Sequence, residues 1–161
     1  MTTQIWEDTE IRDMALGLIA KHHPYLSQVE IRYLFAEKGS FLGKTQKASP
    51  SLKALASVDF VITINNKKWC EDLDSAQKLA LVDHQLCWCS VEEDADDPGA
   101  DLKLGIRKPT VSDFPEVVAR HGAWQPEVLE YVRACNDGGA SLTATALGVS
   151  LTPNPEADDS D

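Results

Sequence analysis

Between Asp83 and Cys89 the chain reads DHQLCWC. A helical H-E-x-x-H places two imidazoles four residues apart on one face, where both grip a Zn ion while the carboxylate between them takes a proton from the metal-bound water. Here His84 holds the first position, Gln85 stands where the acid belongs, and Trp88 stands where the second imidazole belongs. A glutamine amide cannot act as a general base, a loss of roughly 10² to 10⁴ in rate by itself. An indole offers an N–H donor and no lone pair for a metal. One imidazole left alone binds Zn weakly and competes with protons near a pKa of about 6.5. The spacing points to metal-assisted hydrolysis, and the residue types point away from it.

Several elements must position this stretch. Ile11, Met14, Ala15, Leu18 and Ile19 recur at helical spacing after the capping candidates Asp8 and Thr9, and Pro24 closes that segment. His22 and His23 end the helix at its negative pole, which gives them a structural role ahead of a metal-binding one. Gln28 to Phe35 alternates Val29, Ile31, Tyr33 and Phe35 with Glu30 and Arg32, the pattern of a half-buried strand. Gly39 and Gly43 mark turns before a short polar strand, and Ser49-Pro50 opens a short helix. Val58 to Ile64, VDFVITI, is the strongest strand, ended by Asn65-Asn66. Asp74 or Ser75 caps the motif helix, along which Ala76, Leu79, Ala80, Asp83, Leu86 and Cys87 form one broad stripe. Thr110-x-x-Asp113 makes a capping-box-like start for a helix bearing Val111, Phe114, Val117, Val118 and His121, which Gly122 ends. Pro126 suits the first turn of a last helix, stopped by Gly138-Gly139. This order predicts an α+β fold: an N-terminal helix, a short mixed or antiparallel sheet packed against the motif helix, and C-terminal helices. It predicts one domain over residues 1–136 and an acidic flexible tail over 137–161.

The 161 residues are 43% apolar, enough for one ordinary core. The net charge of −11 is concentrated in two places. Val91 to Asp101 holds six acids, Glu92, Glu93, Asp94, Asp96, Asp97 and Asp101, and no base; Asp137 onward holds five more acids and no base, and together these runs equal the whole excess. Their bland account is solvation and disorder. Such a chain is repelled by phosphates, which argues against direct DNA or RNA binding. Arg32, Lys38, Lys44 and Lys47 make one basic patch, read as a solvated loop, and Tyr25, Phe41 and Tyr131 are read as core or rim. No apolar run approaches the roughly 20 residues of a membrane span, the start MTTQIWEDTE is acidic, and free Cys70, Cys87, Cys89 and Cys135 suit a reducing compartment, so a cytoplasmic protein is expected.

From Ile11 to about Glu130 the chain resembles the phage metallopeptidase family, a zincin-like group related in outline to SprT-type proteins. The residues that carry the likeness are Ile31-Arg32-Tyr33-Leu34-Phe35, the basic loop from Lys38 to Lys47, Asp59-Phe60-Val61-Ile62 running to Trp69, Ala80-Leu81-Val82-Asp83-His84, Val111-Ser112-Asp113-Phe114, and Arg120-His121-Gly122-Ala123-Trp124. The resemblance implies a small zincin-like domain and a family pattern like A-L-x-D-H-E-L-C-H-C, of which His84, Cys87 and Cys89 are kept while Gln85 and Trp88 depart. It implies a third ligand just before the V-x-x-F helix, a place held here by Thr110.

On these grounds the catalytic positions His84, Gln85, Trp88 and Thr110 are degenerate, no catalytic residue and no cofactor are expected, and Trp88 is expected to fill the former metal cavity. The expected function is that of an inactive, phage- or prophage-encoded protein that binds a host protein in the bacterial cytoplasm. A basic nucleic-acid-binding effector of CRISPR or restriction type suits the acids Glu92 to Asp101 as partner-binding residues. The alternative is an active metallopeptidase with an atypical Zn site on His84 and Cys87, completed by Cys70, Cys89 or His121.

Overall fold

A computed structural model describes residues 2–109 and 113–137. The chain divides into two compact units, residues 1–122 and 123–161. The first holds β1 (Ile5–Glu7), α1 (Thr9–His22), a 3₁₀ turn (Pro24–Gln28), β2 (Ile31–Ala36), β3 (Gly43–Lys47), α2 (Pro50–Ala56), β4 (Phe60–Asn65), α3 (Asn66–Asp72), α4 (Ser75–Cys87), β5 (Cys89–Glu92), β6 (Lys103–Ile106) and α5 (Pro115–His121). The second holds α6 (Pro126–Asp137), with Pro126 at its first position as expected and Tyr131 exposed. The fold is mixed α+β. The tail beyond Asp137 lies outside the described residues, as do Thr110, Val111 and Ser112.

Four strands form a sheet in the order β1-β2-β4-β3. β2 and β4 run parallel, with Ile31, Tyr33 and Phe35 beside Phe60, Ile62 and Ile64; β1 and β3 flank them antiparallel. The registered apolar residues share one face, and all six are buried. α1 lays Ile11, Ala15, Leu18 and Ile19 into this core and packs against both β2 and α4. Each such side chain contributes roughly 1.5 to 3 kcal/mol of burial, so the sheet face and α1 together fix where α4 can lie. The expected strand from Gln28 starts three residues later, because Pro24 sets up a 3₁₀ turn that consumes Gln28.

α4 begins with a full capping box: the Asp74 carboxylate accepts from Gln77 N at 2.8 Å, and Gln77 Oε1 accepts from Asp74 N at 3.0 Å. Its expected stripe needs correction. Ala76 and Leu79 are exposed, whereas all eight residues from Ala80 to Cys87 are buried, since the C-terminal half is enclosed by α1, α5 and β3 on successive faces. α3 was not expected. Asn65 makes it: its Oδ1 accepts from Lys68 N at 3.1 Å while its Nδ2 donates to Gly39 O at 2.9 Å and Phe41 O at 3.1 Å. One buried amide thus caps a helix and ties down the turn that leads into β3. Trp69 from α3 is buried edge-on against Phe35, centroids 5.6 Å apart.

The acidic run is also corrected. β5 and β6 pair antiparallel from Cys89↔Ile106 to Glu92↔Lys103, so Val91 and Glu92 are in a strand and the rest forms its connecting loop. That loop folds on its own aspartates, with Asp96 N on Asp94 Oδ1 at 3.0 Å and Gly99 N on Asp97 Oδ1 at 3.3 Å. The helix expected from Thr110 starts instead at Pro115, whose fixed φ suits a first position. Gly122 ends it at φ +74°, as expected. No helix among the described residues is long and apolar enough to cross a membrane.

Asn65→Ala removes a cap and leaves two turn carbonyls without a donor. It should cost about 2 kcal/mol or more in chemical denaturation, against about 1 kcal/mol for Asp74→Ala, which loses only a cap.

Candidate functional site

Positions four apart on a helix share a face, so α4 presents two polar stripes side by side: Asp83 with Cys87, and His84 with Trp88. The first is turned inward. Asp83 has no exposed surface, and its carboxylate accepts from His23 Nε2 at 2.6 Å, from Arg120 Nε at 2.8 Å and Nη2 at 3.0 Å, and from His121 Nε2 at 2.8 Å. Burial by itself would raise its pKa; the hydrogen bonds from His23, Arg120 and His121 outweigh that and hold the carboxyl well below the usual range. His23 takes Tyr25 as a further partner, its Nδ1 lying 3.4 Å from the hydroxyl. His23 and His121 thus share one acceptor, and α1, α4 and α5 meet on that carboxylate.

His23, Asp83 and Cys87 bring one ligand atom each within 4.8 Å of one another. The sequence-based set of His84 and Cys87 with Cys70, Cys89 or His121 does not converge into such a group among the described residues. Cys87 and Cys89 are buried free thiols, both pushed up to about 12, chiefly by burial, with the Asp83 carboxylate adding to the effect at Cys87. They pack as small apolar groups.

The second stripe borders a cleft of about 220 Å³ lined by Gly43, Lys44, Thr45, His84, Gln85 and Trp88. The His84 Nδ1–H faces the Asp113 carboxylate in a short hydrogen bond, and the Trp88 indole Nε1–H donates to His84 Nε2 at 3.2 Å. Because an indole N–H only donates, Nε2 must be the accepting nitrogen and Nδ1 must carry the proton. Phe114 packs edge-on against both rings, 5.4 Å from His84 and 6.0 Å from Trp88, and Arg107 lies over Phe114. Gln85 is buried, with the Thr45 hydroxyl 2.8 Å from its Oε1 and 2.9 Å from its carbonyl. Gly43 makes room for that amide: a Cβ there would stand 2.8 Å from Gln85 Nε2.

The structure thus gathers His84, Gln85 and Trp88, as the spacing required. Thr110 is outside the described residues, and Glu92 to Asp101 sit apart on the exposed hairpin loop. Sequence reasoning missed Asp113, Thr45 and Arg120. Asp113 had been assigned to a helix cap, and nothing in a single sequence says that a strand hydroxyl or a distant arginine will reach this helix.

A buried polar helix beside a small mixed sheet, with its imidazole held by a carboxylate, makes a small α+β domain. The chain belongs to the family described as Putative phage metallopeptidase, whose model matches residues 3–135. No curated protein and no solved structure matches it.

Membership implies Zn, and the donors can be tested against it. The cleft lining holds a single imidazole, its outward lone pair taken by an indole N–H, and an amide where a carboxylate would stand. These residues do not fit a Zn ion. At His23, Asp83 and Cys87 the donor types suit a soft divalent metal, but Arg120 covers both oxygens of Asp83, and an incoming cation would meet its guanidinium.

Asp83→Asn should destabilise the protein by about 3 kcal/mol or more at neutral pH, since it strips the half-buried Arg120 of its counter-charge and the His23 and His121 rings of a shared acceptor. The folded pKa is depressed, so the stabilisation is present above the unfolded value near 3.9 and is lost as pH falls below it. The gap between wild type and variant in urea midpoints should therefore narrow below about pH 4.

Proposed function

We propose that this member of the family has given up hydrolysis and acts by binding a protein. The observation that carries the reading is Gln85: the group in the general-base position is a buried amide, held by Thr45 and Gly43, with no proton-accepting charge. The Trp88–His84 bond supports it, because the outward lone pair of the retained imidazole accepts from the indole N–H.

The partner we propose is a basic host protein, of the class whose groove binds nucleic acid, such as a CRISPR or restriction effector. The support is electrostatic. Glu92, Glu93, Asp94, Asp96, Asp97 and Asp101 are exposed together on a loop braced by a hairpin, in a chain of net charge −11. Carboxylates crowded on a braced loop can compete with phosphates for a cationic groove and speed its encounter. A second reading, a metallopeptidase with unusual ligands, has the convergence of His23, Asp83 and Cys87 in its favour and Arg120 against it.

Capture from bacterial host lysate on immobilised full-length protein should retain a basic nucleic-acid-binding protein at low salt. Retention should fall by at least about tenfold when salt is raised fourfold, as expected for several charge contacts, and should fail when Glu92, Glu93, Asp94, Asp96 and Asp97 are all made amides. Partner retention indifferent to both changes rules out the electrostatic version. Metal kept through dialysis together with peptide turnover lost on His84→Ala rules out the binding reading as a whole.

A further inference from the structure

The mismatch between these donors and a Zn ion has a definite form: we infer that the indole N–H of Trp88 has taken the place of the metal on His84, leaving the imidazole oriented as a metal ligand is and the site convertible by one substitution. This rests on the non-hydrolytic reading above and adds a claim about what now holds the site together.

The argument runs through the two nitrogens of one ring. A metal-ligating imidazole characteristically presents one lone pair to the ion while its other N–H donates to a carboxylate or carbonyl, which sets tautomer and ring angle. His84 has that arrangement. Its Nδ1 meets the Asp113 carboxylate, and its Nε2 meets, at 3.2 Å, a donor in place of a cation. A Lewis acid and an N–H both satisfy a lone pair, so the exchange leaves His84 with the same tautomer, and its ring stays buried with 8% exposure. Asp113 is the positioning residue in this account: its carboxylate meets His84 Nδ1 and also accepts from Phe114 N at 2.8 Å.

Trp88 is suited to the exchange by its place in the chain. It lies four residues after His84, so its side chain shares the imidazole's face, and it forms the C-cap of α4. Its ring packs on Phe114 at 84° and walls the cleft without closing it. An imidazole is smaller than an indole, so W88H leaves space at the same spot and supplies a second lone pair at the i, i+4 spacing that grips a metal.

The experiment uses the full chain. In the wild type, nitrogen-15 NMR of the His84 side chain at neutral pH should show the proton on Nδ1 and an accepting Nε2, unaltered by excess Zn or by EDTA, with no Zn-dependent change in Tm. W88H should take up Zn and gain roughly 5 °C or more in Tm at saturation, an effect lost in W88H/H84A. W88F, which keeps an aromatic ring and drops the donor, should lose the indole hydrogen bond at Nε2, shift its nitrogen-15 signal, and gain no such Zn response. A proton on Nε2 in the wild type, a wild-type His84 signal that moves with Zn, or a folded W88H that ignores Zn would each overturn the inference. Should W88H fail to fold by circular dichroism, the wild-type tautomer and the W88F comparison decide the matter. None of these readouts involves a partner or a peptide substrate, so their failure and the failure of the binding reading are separable.

Discussion

A carboxylate with no exposed surface is expensive unless every lone pair is met, and Asp83 is met four times by side chains from α1 and α5. That requirement determines much else. His23 must end α1 where it does, Arg120 and His121 must come from the last turn of α5, and α4 must be rotated so that position 83 points at both. Once the rotation is set, position 84 can only face the adjoining side, toward Asp113 and the β3 cleft. The geometry of the candidate site is thus a consequence of the ion cluster behind it.

The same constraint explains the thiols. Cys87 follows Asp83 by one turn and lies against the charged cluster, where a long apolar side chain would crowd His23 and a carboxylate would add unmatched charge. A buried neutral thiol fills the space and remains protonated, as its raised pKa requires. Cys89 does the same one step further on, at the first residue of β5.

Much of this was legible in the chain because it depends on local chemistry. Helical periodicity and the capping candidates Asp8 and Thr9 marked α1, β-branched residues marked β4, and the capping candidates Asp74 and Ser75 marked the start of α4. What stayed hidden depends on partners distant in sequence. The β5–β6 hairpin has two four-residue strands of mixed composition on either side of an acidic run, and it depends on pairing between segments about a dozen residues apart. α3 depends on a single asparagine that reads equally well as a strand terminator. At the site, the departures at Gln85 and Trp88 were plain from residue type, whereas Asp113 carries the same letter whether it caps a helix or orients an imidazole.

Hydrogen-bond parity links the altered site to the acidic loop. Gln85 Oε1 accepts from the Thr45 hydroxyl and His84 Nε2 accepts from the Trp88 indole, so the acceptor atoms of both side chains have donors. Reverting Trp88 alone would take the indole donor from His84 Nε2, and reverting Gln85 alone would bury a carboxylate where the Thr45 hydroxyl now serves an amide. Each change is therefore stabilising only where its partner already stands. Trp88 also has a backbone to offer: its carbonyl accepts from Arg107 N at 2.8 Å, one step beyond the Cys89↔Ile106 pair, so the ladder of the hairpin is continued onto the C-cap of α4. Trp88, which borders the cleft with its side chain, is thereby also the residue on whose backbone the base of the acidic hairpin is mounted.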